Sequence, residues 1–249
     1  MRGGVNLRKS RLVWRVPIQF NTCMEQPPAT PQRNLNWPSK ITLVLVGIVL
    51  VLLAVAGMAY FKELQQKAAI AAQVRHIMMS MKVWAQNVGG YYPFKDDQWP
   101  TANSGFRELI REGYLEDERL LGAVSSPYKP DGRIGEPPVF TEACLANECD
   151  WMVTKDSTTS NNGSDPLVFD NALEAQWPPR WKADADGQPV RGRTLFRGMV
   201  VFGFNDMSVR FIKLKREGSY LVLPENLVLR SPGFEENLQV ADIEERKRD

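Results

Sequence analysis

Histidine occurs once in the 249 residues, at His76, and cysteine three times, at Cys23, Cys144 and Cys149. That scarcity leaves no ligand set for a structural zinc site, which takes four soft donors. It also leaves little for a nucleophile activated by histidine. His76 sits one position before Ile77 in a helical stretch and reads as a surface or packing residue. Clusters of Lys and Arg with interleaved aromatics are missing from the body of the chain, so no nucleic-acid interface is expected. Charge is missing altogether from 41–61, ITLVLVGIVLVLLAVAGMAYF, and proline and glycine are missing from 62–88. Those last two absences organise the molecule.

A helix over 41–61 would span roughly 30 Å at 1.5 Å per residue, the thickness of a bilayer's hydrocarbon core. Trp37 lies near one end, with Tyr60 and Phe61 at the other, where interfacial aromatics belong. Soluble helices rarely go so long without a polar face. Residues 1–40 carry Arg2, Arg8, Lys9, Arg11, Arg15, Arg33 and Lys40 against Glu25, while the whole chain has a net charge of +2. A basic head on a mildly acidic body predicts a cytoplasmic amino terminus. The expected topology is therefore single-pass, with the remainder on the extracytoplasmic side. A cleavable signal is the rival, with Ala54-Val55-Ala56 as its cleavage-like site, but the stretch is long and begins 40 residues in. Met24 is an alternative start.

The helix is predicted to continue through 62–88. Ile70, Val74, Ile77, Met78, Met81 and Trp84 recur close to the 3.6 period, and Gly89-Gly90 ends it. A short helix is expected over 104–112, capped by Asn103 or Ser104. The period then shortens. Strands are expected at 150–155, 166–170, 198–204 and 208–214, with an edge strand at 219–223. Asn205-Asp206 joins the third and fourth as a hairpin. The segment 177–193 reads as a long excursion, and 235–249 as a charged tail that frays. The expected organisation is a basic flexible segment at 1–40, the membrane helix at 41–61, its continuation at 62–88, an exported α+β domain at 89–234 and the tail at 235–249.

A long amino-terminal helix, half apolar and half packed on a small antiparallel sheet, resembles the plan of type IV pilins and type II secretion pseudopilins. WAQNVGGYYPF at 84–94 resembles the helix exit of the major pseudopilin type. TANSGFRELIREGYLEDERLL at 101–121 is similar to the segment that follows in such proteins, and VVFGFNDMSVRFI at 200–212 to their closing hairpin. The resemblance implies an α+β, pilin-like fold and a structural or interaction role beside other pilin-like or secretion-system subunits. Three positions depart from the family. Lys40 precedes Ile41 where the family has Gly, Val44 or Leu45 stands where it has Glu, and Met207 replaces the hairpin glycine. The family's Glu pairs with a neighbouring subunit's amino terminus, so neither prepilin processing nor filament entry is implied. A non-glycine at 207 is expected to avoid positive φ, which would centre the turn on Asn205-Asp206.

Other motifs are weighed singly. Cys144 and Cys149 enclose CLANEC, and in an exported domain they read as a small disulfide loop. Asp184-Ala185-Asp186-Gly187 hints at calcium, but an EF-hand would need Glu at position 195, which is Leu. Major pseudopilins resemble calcium binders in an irregular loop, so Asp165, Asp170, Asp184, Asp186 and Asp206 form a pool of oxygen ligands. Solvated loop acids are the plainer reading, and no other cofactor is expected. Trp177 and Trp181 around Pro178-Pro179 suggest a platform for a partner or a sugar; a core role for these and for Trp99 and Trp151 is commoner. Gly47, Gly57 and Ala54 offer small faces for lateral association in the bilayer. An envelope binding or sensory module on an uncleaved anchor is the second reading. Enzymatic function is not expected, since no set of residues would carry it.

Overall fold

The computed structural model describes residues 37–95, 98–123, 126–224 and 238–245. The basic head and the Met24 start lie outside them, apart from the helix's first residues. The chain divides into two compact units, Met1–Leu53 and Ala54–Asp249. The described part of the first is helical. It is the opening of α1 (Trp37–Asn87), whose remainder belongs to the second unit.

In the second unit α1 has two faces. Ile70, Val74, Ile77, Met78 and Met81 are wholly buried and Trp84 nearly so, the stripe that the 3.6 period predicts. The helix ends as glycine permits. Gly89 takes φ 90°, and the Gly90 amide donates back to the Ala85 carbonyl at 2.7 Å, satisfying a helix-end carbonyl.

A second helix, α2 (Ala102–Arg111), follows. Its cap is Thr101, not Asn103 or Ser104. The Thr101 hydroxyl accepts from the Ser104 amide at 3.1 Å, and Ser104 Oγ accepts from the Thr101 amide at 3.1 Å, a reciprocal capping box. Asn103 is buried and spent elsewhere: its Nδ2 donates to the Leu145 carbonyl at 2.8 Å and its Oδ1 accepts from the Glu244 amide at 2.8 Å. A 3-10 helix, Glu118–Leu121, comes next.

Eight strands complete the unit: β1 (Trp151–Thr154), β2 (Pro166–Asp170), β3 (Arg180–Lys182), β4 (Met199–Phe204), β5 (Val209–Lys213), β6 (Lys215–Glu217), β7 (Tyr220–Val222) and β8 (Val240–Ala241). The order β5-β4-β2-β1-β8 makes one antiparallel sheet, and β3-β7-β6 makes a second. β1 and β2 are buried at every residue, so their faces are covered on both sides and their sequences run apolar without alternation. The class is α+β, a long helix with a small antiparallel sheet.

Four expectations change. The segment at 219–223 is the middle strand of the second sheet, not an edge. The excursion at 177–193 contains β3. The tail does not fray over 238–245: β8 pairs with β1, and Ala241 and Ile243 are buried, because these apolar residues give the charged segment something to bury. Finally, Asn205-Asp206 does centre the hairpin turn, with the Met207 amide donating to the Phe204 carbonyl at 2.8 Å, yet Met207 adopts φ 69°. A three-residue loop that follows its turn with one left-handed residue matches strand twist, and that geometry overrides the side chain's preference.

Candidate functional site

The feature with the most evident purpose is the exposed length of α1. From Ile41 to Phe61 its apolar side chains are uncovered, with Leu43 62%, Leu53 63% and Phe61 60% exposed. In water each such side chain forgoes about 1.5–3 kcal/mol of burial. The helix is long and apolar enough to cross a membrane.

Where the sequence placed chemistry, the side chains are mostly engaged with the protein itself. Cys144 and Cys149 do not form the expected disulfide. Both are free thiols and fully buried. The Cys149 thiol donates to the Trp151 carbonyl at 3.4 Å. Burial, with Cys149 beside it, pushes the Cys144 thiol well above its ordinary range. Hydrogen bonds close the loop without a covalent link. Glu118 Oε2 accepts from the Cys144 amide at 2.9 Å, and Glu148 Oε2 from the Leu145 amide at 2.6 Å.

The calcium pair is likewise occupied. Asp184 pairs with Arg216 at 3.2 Å. Asp186 accepts from Thr194 Oγ1 at 2.8 Å and from the amides of Arg197 and Gly198 at 2.8 and 3.2 Å. Its carboxylate organises the loop that leads into β4. Among the described residues no group of three or more His, Cys, Asp or Glu is arranged to hold a metal. Asp206 accepts from the Ser208 amide at 2.8 Å.

The tryptophan platform is not assembled. Trp181 is wholly buried, as is Trp151, whose indole donates to the Leu120 carbonyl at 3.1 Å. Trp177 is half-buried and packs edge-on against Phe169 at 6.3 Å, and Trp99 meets Trp84 at 5.7 Å. These rings fill core because their area is worth more inside than on a surface. His76 is exposed on α1, beside an open groove of about 420 Å³ that Ala72, Arg119 and Leu120 also line.

The most unusual chemistry went unread in the sequence. Arg193 is fully buried, with its Nη2 2.7 Å from Asp150 Oδ2 and 3.9 Å from Asp170 Oδ1. Asp150 also accepts from Ser126 Oγ at 2.7 Å and from Asn171 Nδ2. Burial raises the Asp150 carboxyl to about 6 against the pull of Arg193. Burial, with Asp150's charge adding, raises Asp170 well above the carboxylate range. The flanking residues extend the clasp. The Gly192 amide donates to Asn171 Oδ1 at 2.8 Å, and Arg191 reaches Asp242 at 2.5 Å and Glu245 at 3.3 Å. Arg-Gly-Arg at 191–193 thus ties the long loop both to the sheet's end and to the segment carrying β8. Three consecutive residues of this kind are a weak signal before their partners are known.

The class these features define is an α+β unit whose long helix carries an exposed stretch fit to cross a membrane. The chain matches no protein-family model, no curated protein and no solved structure.

Proposed function

We propose that this chain is a single-pass membrane-anchored, pilin-like structural or interaction protein. Residues 1–40 face the cytoplasm, and the α+β unit lies on the periplasmic or extracytoplasmic side of a bacterial inner membrane. In this reading it is a component of a type II secretion or pilus-like assembly. Its partners are the bilayer and other pilin-like subunits, and it performs no catalytic step.

The observation that supports this most is the double character of α1. One continuous helix, Trp37–Asn87, has apolar side chains exposed from Ile41 to Phe61 and a stripe from Ile70 to Ala85 buried within its own domain. An apolar surface of that extent calls for lipid or other helices.

A second reading, an envelope binding or sensory module on an uncleaved anchor, is favoured by Lys40 in place of the processing glycine and by Val44 or Leu45 in place of the pairing Glu. Amino-terminal sequencing of the membrane-extracted protein separates the two. A chain starting at Ile41 with a methylated amine supports the pilin-like component; a start at Met1 or Met24 supports the anchored module. Side-specific labelling of single cysteines placed at Arg8 and at the exposed Arg133 that put the two on one face of the bilayer would end both readings.

A further inference from the structure

The outer end of the apolar stretch is bordered by charges from two distant parts of the chain. Phe61 closes the stretch, and Lys62, Glu63 and Lys67 follow on α1. At 1.5 Å per residue, Lys67 stands about 9 Å beyond Phe61 along the helix. The turn before β4 packs against it. Lys67 Nζ lies 5.7 Å from the centre of the Phe196 ring. Glu63 is held below its ordinary range mainly by its hydrogen bond from Lys67, with the Arg197 charge contributing. Phe196 meets Phe211 of β5 at 6.4 Å, and Lys213 Nζ donates to the Arg197 carbonyl. Lys62, Arg197 and Lys213 are exposed. Four basic side chains therefore share this rim with Glu63, whose carboxylate already pairs with Lys67 at 2.7 Å.

We propose that this basic rim docks on the headgroups of anionic phospholipids and holds the α+β unit down on the membrane. The inference rests on the anchored reading above. On that reading the rim begins within one helical turn of the lipid boundary, inside the screening length of about 10 Å at 0.1 M salt. Long Lys and Arg stems let their charges reach the interface while the stems cover apolar surface. The Phe196–Phe211 pair backs the rim and fixes where Arg197 and Lys213 emerge. Each basic group near such a surface is worth about fivefold in association.

The test uses the full chain reconstituted in vesicles of phosphatidylcholine, alone or with phosphatidylglycerol. Spin-labelled phosphatidylglycerol and phosphatidylcholine report which headgroup the protein gathers. The basic head contributes equally in every variant, so differences report the rim. The wild type is expected to gather phosphatidylglycerol, and Lys62→Gln with Arg197→Gln to lose up to about fivefold of that preference per charge at low salt. Arg197→Lys on the Lys62→Gln background should recover one charge's worth, whereas Arg133→Gln should change nothing. Equal enrichment in wild type and the double variant overturns the proposal. So does loss of the wild-type preference on adding millimolar inorganic phosphate at constant ionic strength, which would mark a free-phosphate site. A protein that enters no vesicle of either composition refutes the anchored reading itself, an outcome distinct from insertion without lipid preference.

Discussion

Gly203 on β4 approaches Met78 on α1 so closely that a Cβ built on the glycine would stand 2.5 Å from the methionine sulfur and 2.7 Å from Val74 Cγ1. The missing side chain is what lets the sheet lie against the helix at this level. Gly203→Ala should therefore destabilise the α+β unit by about 2 kcal/mol, the usual cost of overpacking a filled core. Denaturant unfolding of the detergent-solubilised chain, followed by near-ultraviolet circular dichroism, measures it. Combining Gly203→Ala with Met78→Ala should recover part of the loss relative to the sum of the two single changes. Strict additivity would mean the two residues do not press on each other.

Among the described residues Arg193 is the cation that pairs with Asp150, and both are wholly buried. Removing one member of such a pair leaves a charge without compensation, at a cost of roughly 3–5 kcal/mol. Arg193→Met should cost that much. Arg193→Met with Asp150→Asn should be milder than Arg193→Met alone, since no lone charge remains. A double variant as unstable as the single one would place the arginine's value in its packing.

The same cluster fixes the sign of the pH dependence. Asp150 is raised to about 6 from an ordinary 3.8, and Asp170 is raised as well. The folded state then holds protons that the unfolded state has released. The contribution is fully present below about pH 4 and is lost as pH rises through 6 and above, by on the order of 3 kcal/mol for a two-unit shift. Unfolding free energies measured from pH 4.5 to 8 should fall with pH. Asp170→Asn, which cannot ionise, should flatten the upper part of that curve and be neutral or stabilising at pH 8. A stability that climbs steadily with pH would contradict this assignment.

Both thiols of the 144–149 loop are enclosed, and disulfide exchange needs an accessible thiolate. In a Cys23→Ser background, Cys144 and Cys149 of the folded protein purified under reducing conditions should resist a maleimide at pH 8. Both should label within minutes in 6 M guanidinium, on the order of ordinary unfolded thiols. Mass spectrometry counts the adducts. Rapid labelling without denaturant would show that the loop opens readily.

Local pattern recorded much of this architecture because burial on one face leaves a period. The stripe from Ile70 to Trp84 and the strand at 166–170 emerge with the residues that the packing uses. Features set by distant partners left no such mark. Arg193 meets Asp150 across 43 positions, and nothing beside it announces a buried charge. β8 has two residues and β3 three, too few to display an alternation. Trp181 has proline and charge as sequence neighbours, the setting of a binding surface, but Leu221 pairs opposite it in the second sheet. Asp184 and Asp186 fit a ligand pattern by composition; only their bonded partners reveal that Asp186 is a loop organiser. The basic rim was equally hidden, since 62–67 and 196–213 meet only after folding.

The pairing of β8 with β1 also sets an order of events. The outer edge of β1 waits for residues that leave the ribosome long after it, once the hairpin of β4 and β5 has already been made. A nascent chain held up before Val240 would present a bare row of amides and carbonyls beside Val153, ready to recruit any extended peptide nearby. Chaperone attention during synthesis should therefore concentrate on this late-sealed flank.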